Sequence, residues 1–245
     1  DAYYNGQSEK MTDYEWDALF DKLKKMEEET GVVLDGSPTS KVSSDSVPGE
    51  KEAHEYSALS LAKTKKIEDL VKWSEGKEVW ISWKLDGLTL VVTYDNGKLS
   101  KVVTRGDGHI GTNITHLSKA IEGIPQSIDY KGHLVLRGEA LISYADFERF
   151  VMESGEDYAN PRNLASGSLT LKNLEELKKR KLNWIVFTLV HCDETYTSWG
   201  EQMDFLAGLG FQIVEHEKVE HPDLMHLQSV IDQWTKKVTD NVNPY

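Results

Sequence analysis

The pattern of apolar and polar residues divides the chain into a short helical region and a longer region of strands and helices. Thr12 and Glu15 form the T-x-x-E pattern of a capping box, which predicts a helix start. The apolar residues that follow have the spacing of one helix face: Trp16, Leu19, Phe20, Leu23 and Met26. Gly31 predicts the end of this helix. Residues 43–55 contain few apolar side chains, so we predict a linker there, with a domain boundary between residues 48 and 49.

The longer region alternates with a period of two, which is typical of strands. This alternation predicts strands at residues 79–85, 88–94, 99–104, 133–140, 182–190 and 211–219. The pair Asn96-Gly97 predicts a tight hairpin between the second and third strands. Helical spacing predicts helices that begin at Ser143 and that span residues 199–209 and 224–238. Because strands follow one another in hairpins and helices form separate runs, we expect an α+β fold rather than a doubly wound parallel sheet.

Composition narrows the class of protein. The 245 residues include 28 basic and 41 acidic side chains, and the net charge of −13 excludes a globally basic nucleic-acid-binding protein. The net charge does not exclude a groove that is basic only locally. The single cysteine, Cys192, excludes a disulfide framework and a cysteine-rich zinc site, and it favours a reducing, cytoplasmic compartment. No apolar run has the length of a membrane span, so we expect no membrane partner, and we identify no metal-binding residues.

The first candidate for chemistry is the sequence K-L-D-G at residues 84–87, between the first two predicted strands. A lysine is a covalent nucleophile when its amine is deprotonated, which requires burial or a neighbouring cation to lower its pKa. The alternation places Lys84 on the same strand face as Ser82 and Trp80. The alternative interpretation of Lys84 is an ordinary surface lysine beside a turn.

Three further motifs follow in order. T-R-G-D-G at residues 104–108 places Arg105 on a glycine-flanked turn, where a guanidinium can contact a phosphate or a ribose. R-G-E at residues 137–139 ends a predicted strand with Glu139. The run at residues 158–169 is poor in charge and rich in small side chains, and it carries Arg162. Each motif alone also fits a structural role, as a glycine-rich turn or as a close-packed loop that enters a helix.

In this order and at this spacing, the motifs resemble the N-terminal part of bacterial NAD-dependent DNA ligases. Further anchors of the resemblance are Tyr3-Tyr4, residues 12–17 and 36–39, and His54 with residues 59–61. The resemblance implies a helical NMN-binding subdomain at residues 1–48. It also implies an adenylation (nucleotidyltransferase) domain at residues 49–245, with antiparallel sheets flanked by helices as in DNA ligases and mRNA capping enzymes.

The resemblance also implies an activity and its partners. The enzyme would use NAD as AMP donor, with Mg²⁺, to seal nicked double-stranded DNA in replication and repair. Contact with DNA would be made mainly by modules that this chain does not contain. We expect a monomer located in the cytoplasm.

The resemblance assigns a role to each candidate residue. Lys84 would attack the α-phosphorus of NAD, form a phosphoramidate with AMP and release nicotinamide mononucleotide (NMN), with Asp86 as the acid beside it. Arg105 and Glu139 would contact the nucleotide, Glu139 through the ribose hydroxyls. The other assigned residues are Arg162 at the phosphate and nicotinamide end, Ser60, Leu61 and Ser82 on the adenine side, and Tyr3, Tyr4, Asp13 and Asp17 over NMN.

Helical spacing supports the assignment of Asp13 and Asp17, because residues four apart share a helix face. Two carboxylates near the aromatic ring of Trp16 suit a cationic nicotinamide. The alternative explanation of both aspartates is a favourable charge at a helix N-terminus.

Four features depart from the family pattern. Ser82 replaces the usual Glu, Trp16 replaces Tyr, and Thr170 replaces a second Arg. The D-G-x-V-x-K segment, which carries a nucleotide-binding lysine, does not occur before Tyr245, and from this and from the start at Asp1 we expect a piece of a longer protein. Two alternatives to the ligase hypothesis follow. One is a degenerate domain that binds a nucleotide or a partner without catalysis; the other is an ATP-using enzyme, which the region from Tyr3 to Asp17 opposes.

Overall fold

The computed structural model describes residues 13–34, 37–39, 47–240 and 243–245. The predictions for Tyr3, Tyr4 and Thr12 lie outside these residues, and Asp13 and Asp17 are described only by their backbone. In chain order the elements are α1 (Asp13–Thr30), β1 (Lys51–Ala53), α2 (Ile67–Ser74), β2 (Val79–Ser82), β3 (Leu88–Asp95), β4 (Lys98–Thr104), β5 (Ile110–Thr112), a 3₁₀ helix (Thr115–Ala120), β6 (His133–Leu141), α3 (Tyr144–Ser154), α4 (Pro161–Ser168), α5 (Leu174–Lys179), β7 (Asn183–His191), α6 (Trp199–Gly208), β8 (His216–Val219) and α7 (Leu224–Thr239).

Helix α1 ends as its sequence predicts. The N–H of Gly31 donates to the carbonyl of Glu27 at 2.9 Å, and the helix stops at Thr30. The hydroxyls of Ser37 and Thr39 donate to the carboxylate of Glu27, so the turn after the helix is fastened to its last part. The division of the chain at residues 48 and 49 stays a prediction.

The predicted linker at residues 43–55 is wrong for its last part, because Lys51–Ala53 forms strand β1. This strand pairs antiparallel with β5, with Glu52 opposite Gly111. Backbone hydrogen bonds hold an edge strand of this kind, and two of the three side chains of β1 are exposed. Such a strand leaves little hydrophobic pattern in the sequence.

The central sheet has four antiparallel strands in the order β4-β3-β6-β7. The predicted hairpin is confirmed, since Asn96 and Gly97 both have positive φ, at 49° and 77°. One face of the sheet packs on α4, α5, α6 and the 3₁₀ helix through buried apolar residues that include Leu88, Leu90, Leu136, Leu164, Leu177, Trp184 and Leu206. The opposite face carries Val91 and Val135, which the segment with Tyr56 and Ala58 covers.

A second layer contains the two-stranded sheet β2-β8, with α2 and α7 packed on it. Its core consists of Val219, Leu227, Val230 and Trp234, with partly buried neighbours such as Leu70, Val79 and Ile81. The predicted strands 79–85 and 211–219 are therefore too long, because β2 ends at Ser82 and β8 begins at His216. The first is shorter because the chain leaves β2 at residue 83 and crosses to the central sheet. The second is shorter because Gln212 and Val214 instead bond to Val186 of β7.

The α+β expectation is confirmed. Three α-helices were not predicted from the sequence, namely α2, α4 and α5 with eight, eight and six residues, and neither was the 3₁₀ helix. Helices of one or two turns are too short to show a periodic pattern. Among the residues that the structure describes, none of the helices combines the length and the apolar character that a bilayer crossing needs.

Candidate active site

Antiparallel pairing brings three of the sequence motifs to one edge of the central sheet. Strand β3 starts where its two neighbours end, so Thr89 lies opposite Glu139 of β6, and Leu90 lies opposite Thr104 of β4. Residues 84–87 precede β3 and Arg105 follows β4, and the N–H of Arg105 donates to the carbonyl of Thr89 at 2.9 Å. The sequence-predicted residues Lys84, Arg105 and Glu139 thus come from three elements to the same edge.

Glu139 is a buried carboxylate, with 7% of its surface exposed. Its Oε1 accepts from the backbone N–H of Gly87 at 3.0 Å, and its Oε2 accepts from the hydroxyl of Thr89 at 2.8 Å. Burial raises the pKa of Glu139 to about 6, although the two hydrogen bonds and the charges of Arg162 and Lys84 act in the opposite direction. The site therefore contains a carboxylate that changes its protonation close to neutral pH.

The glycine of the K-L-D-G sequence allows residues 83–87 to touch strand β6; we call these residues the nucleophile loop, after the predicted role of Lys84. A Cβ atom on Gly87 would lie 2.2 Å from the carbonyl oxygen of Ala140 and 3.1 Å from the Cβ of Leu141. No real side chain tolerates the first of these distances, so only glycine permits this approach. The same approach places the N–H of Gly87 within reach of Glu139.

Arg162 joins the fourth motif to the loop. It lies in the first turn of α4, whose N-terminus is capped by the side-chain oxygen of Asn160, which accepts from the N–H of Asn163 at 2.9 Å. Nη1 of Arg162 donates to Oδ1 of Asp86 at 3.0 Å and also to the carbonyl oxygen of Gly87. The side chain of Arg162 is only 11% exposed, so a largely buried cation faces the exposed Asp86.

Lys84 lies between these contacts with an exposed side chain. Exposure alternates along the loop: Ser82, Lys84 and Asp86 are exposed, whereas their neighbours Trp83 and Leu85 are half-buried. The predicted alternation, which places Lys84 on the same side as Ser82, therefore continues beyond the end of strand β2. A cleft of about 280 Å³ borders the loop, and its lining includes Lys84, Asp86, Tyr144, Asn160 and Arg162. The amine of Lys84, the largely buried guanidinium of Arg162 and the high-pKa carboxylate of Glu139 share this edge of the sheet.

A family model described as the NAD-dependent DNA ligase adenylation domain matches residues 51–242, which is most of the chain. The chain belongs to this family. It is similar to a protein named DNA ligase from Lachnoclostridium phytofermentans, with 44% identity over 224 residues that cover 89% of this chain and 34% of the relative. A DNA ligase from Ruminiclostridium cellulolyticum is 42% identical over 89% of this chain and 34% of the relative. A DNA ligase from Brachyspira hyodysenteriae is 34% identical over 86% of this chain and 34% of the relative. The chain therefore spans about a third of the length of these curated relatives. These similarities favour the ligase hypothesis over the degenerate domain.

The adenylation domain also uses residues that were not assigned a role from the sequence. Nε2 of His54 donates to the carbonyl of Arg105 at 3.0 Å, and the N–H of Ala58 donates to the carbonyl of Gly108 at 2.7 Å. Arg137 donates to the carbonyl of Ser57. These bonds fasten the segment 54–58 over the sheet face that carries Glu139. His54 was visible in the sequence only as an anchor of the resemblance, and Thr89 only as part of the predicted strand 88–94.

The assigned adenine-side residues follow the segment 54–58 or lie at the end of β2. Ser60 and Leu61 are exposed, Leu61 to 85%, and Ser82 is exposed opposite His216 of β8. Among the contacts of the described residues, none joins these three side chains to Lys84 or Glu139. Their role stays a prediction. Thr170, the departure from the usual Arg, donates its hydroxyl to the carbonyl of Gly167 at 2.8 Å, just after α4.

Proposed function

We propose that Lys84 carries out NAD-dependent self-adenylation. The proposal rests on the strand register, which brings the loop with Lys84, Arg105 and Glu139 to one edge of the sheet. At that edge Arg162 bonds to Asp86 and to Gly87. The deprotonated amine of Lys84 attacks the α-phosphorus of NAD. A nitrogen–phosphorus bond forms, the bond from that phosphorus to the bridging pyrophosphate oxygen breaks, and NMN leaves with its own phosphate.

The neighbouring charges suit this step. The guanidinium of Arg162 lies beside the loop that carries Lys84, where it donates to Asp86 and to the carbonyl of Gly87. The same guanidinium, with its fixed fork of donors, complements the negative charge on the phosphate oxygens. Asp86 bonds to Arg162 and lies two residues from Lys84, so it orients the cation that faces the reacting phosphate.

The other assigned residues bind the remainder of NAD in this proposal. Glu139 accepts hydrogen bonds from the ribose hydroxyls, and Arg105 contacts the nucleotide from its turn. Ser60, Leu61 and Ser82 face the adenine. Tyr3, Tyr4, Asp13 and Asp17 close over NMN and supply binding energy that helps to position the α-phosphorus.

The relatives named DNA ligase support a wider proposal for the whole protein. AMP passes from Lys84 to the 5′-phosphate of nicked double-stranded DNA, and the nick is then sealed, in the cytoplasm and by a monomer. The described residues contain no group of three or more His, Cys, Asp or Glu side chains that could hold a metal. We propose that Mg²⁺ arrives on the pyrophosphate of NAD, as this ion commonly does with phosphate substrates.

Intact-mass analysis of the full-length protein tests the assignment. After incubation with Mg²⁺ and NAD, the protein should gain one AMP, and after incubation with ATP it should gain none. Both Lys84→Ala and Lys84→Arg should abolish the gain, because arginine stays protonated and offers no lone pair. Lys98→Arg, at an exposed position at the other end of the same hairpin, is the matched control and should be labelled normally. An adduct that persists in Lys84→Ala would place the nucleophile elsewhere.

A further inference from the structure

The residue before the nucleophile is held by a closed set of contacts that the reaction does not use. The indole Nε1 of Trp83 donates to Oε2 of Glu215 at 2.7 Å, and Oε1 of Glu215 accepts from Nζ of Lys237 at 2.6 Å. That ammonium lies 4.6 Å from the ring centroid of Trp234, and the ring of Trp234 lies 4.5 Å from that of Trp83. We call these four residues the indole clamp.

The clamp is built from three separate elements. Ser82 and His216 are the last paired residues of β2 and β8, so Trp83 and Glu215 occupy the next cross-strand position beyond the ladder. Trp234 and Lys237 lie three residues apart on α7, which places them on one helix face. Trp234 is itself fixed, because its Nε1 donates to Oε2 of Glu217 at 2.7 Å. The hydrogen-bonded pairing of β2 and β8 ends at Ser82, and the clamp attaches the next residue, Trp83, to the second layer through side-chain contacts.

Trp83 also lies where two apolar clusters meet. It packs against the core of the second layer with Val219 and Trp234, and against the cluster formed by Leu141, Ile185 and Val214 at the end of the central sheet. Its ring is thus confined on several sides and its one polar atom is bonded. A side chain fixed in this way determines the path of the backbone that follows it.

The nucleophile loop is consequently held at both ends. Gly87 is bonded through its N–H to Glu139 and through its carbonyl to Arg162, and Trp83 is bonded through its indole to Glu215. Lys84 follows Trp83 directly, and its side chain is exposed whereas that of Trp83 is half-buried. Misplacement of a reacting group by about 1 Å can cost about 100-fold in rate. The position of Lys84 therefore depends on the end of the loop that the clamp holds.

We propose that the indole clamp, through the bond from Trp83 to Glu215, positions Lys84 for attack on the α-phosphorus. Trp83, Glu215 and Lys237 are positioning residues in this proposal, which rests on the function proposed above. The role of Lys237 in this proposal is to hold Glu215 through the hydrogen bond from its ammonium. Its ammonium holds Glu215 ionised, since the hydrogen bonds from Lys237 and then Trp83 lower the pKa of that carboxyl.

Single-turnover formation of lysyl-AMP in the full-length protein tests this role, with the NAD concentration varied. Trp83→Phe keeps the ring but removes the donor, and Glu215→Ala removes the acceptor; each should lower the maximal rate about tenfold and leave the apparent KM for NAD within about twofold. Glu215→Gln keeps an oxygen that can accept the indole proton and should restore most of the rate. Trp73→Phe, at a position 75% exposed on α2, should match the parent.

Rates are compared only among variants that urea unfolding shows to be fully folded at the assay temperature, so a merely structural loss would leave the rate unchanged. Glu215 is half exposed, and Glu215→Ala keeps the test decisive even where Trp83→Phe fails to fold. Maximal rates of Trp83→Phe and Glu215→Ala within twofold of the parent, or a loss confined to KM, would overturn the positioning role alone. A parent protein that gains no AMP from NAD would refute the proposed function and this role with it.

Discussion

The two ends of the β3–β6 strand pair carry carboxylates whose surroundings differ in kind. At one end, Glu139 is buried opposite Thr89, and its hydrogen-bond donors are neutral. At the other end, Asp95 is exposed and lies opposite His133, which bonds to it at 2.6 Å and to Glu55 at 3.0 Å. Burial raises the pKa of Glu139, whereas the hydrogen bond from His133 lowers the pKa of Asp95.

The difference shows that the two ends of one strand pair affect stability in opposite ways: ionisation is favourable at Asp95 and unfavourable at Glu139, in the proposed site. The surroundings of Asp95 favour its charged form, and this end stabilises the fold as an ion pair does, modestly and with sensitivity to salt. The surroundings of Glu139 disfavour its charged form, so ionising it costs stability, as is common for groups at functional sites. The edge that carries Lys84 is thus also the end of the strand pair at which ionisation opposes folding.

The largest effect should come from Gly87→Ala, which breaks the approach of the nucleophile loop to β6. The new Cβ would meet the carbonyl of Ala140 at 2.2 Å, so the backbone must move. We expect a loss of about 1–3 kcal/mol in the free energy of unfolding and a drop of about 100-fold in the rate of lysyl-AMP formation. Urea unfolding and single-turnover labelling measure the two. Gly208→Ala, where a Cβ meets nothing within 4 Å, is the control and should be neutral or slightly stabilising.

Thr89→Val should have the next largest effect, because it leaves one oxygen of the buried Glu139 without its donor. Loss of that bond costs about 1–3 kcal/mol of stability when the carboxylate is ionised. It also removes an interaction that lowers the pKa of Glu139, so the acid limb of the pH profile for adenylation should move to higher pH. Thr89→Ser should behave like the parent. An unchanged profile in Thr89→Val would show that the hydroxyl does not act through Glu139.

Glu139→Gln sharpens the contrast through its pH dependence. The folded protein holds the Glu139 proton up to a pKa of about 6, against an ordinary value of 4.5, so stability falls as pH rises through this window. The parent should therefore gain roughly 2 kcal/mol relative to Glu139→Gln between pH 7 and pH 4, at 1.36 kcal/mol per unit of pKa. Urea unfolding of both proteins across this range measures it. A constant difference between them would contradict the raised pKa.

The smallest effect should come from His133→Gln at the opposite end. The hydrogen bond to Asp95, above all, raises the pKa of His133, so its stabilising contribution is full below the unfolded-state pKa and is lost as pH rises through the folded-state value. Because these groups are partly exposed, we expect a loss of at most about 1 kcal/mol at pH 5.5 and less at pH 8.5. Denaturation at the two pH values tests this. The rate of lysyl-AMP formation should stay within about twofold of the parent.

Local sequence was sufficient for much of the fold. The hairpin at Asn96-Gly97 and the helix that begins after Ser143 were predicted correctly, and the hydroxyl of Ser143 accepts from the N–H of Asp146 at 3.1 Å. The short strand β1 and the helix α4 were not predicted. Strand β1 depends on the backbone of β5, and α4 consists largely of small residues without a periodic apolar face.

The sequence by itself determined the four strands of the central sheet, the hairpin between β3 and β4, the α+β class and the order of motifs that indicates the family. Hydrophobic periodicity and turn residues depend on only a few neighbouring positions, so the local sequence of an element is enough to indicate whether it is a helix, a strand or a turn. The tertiary structure alone decided that Glu139 bonds to an N–H 52 residues away, that burial raises its pKa to about 6, and that Trp83 bonds to Glu215 across 132 residues. Burial, close approach and charge depend on atoms brought together by folding, and no local pattern records those distances.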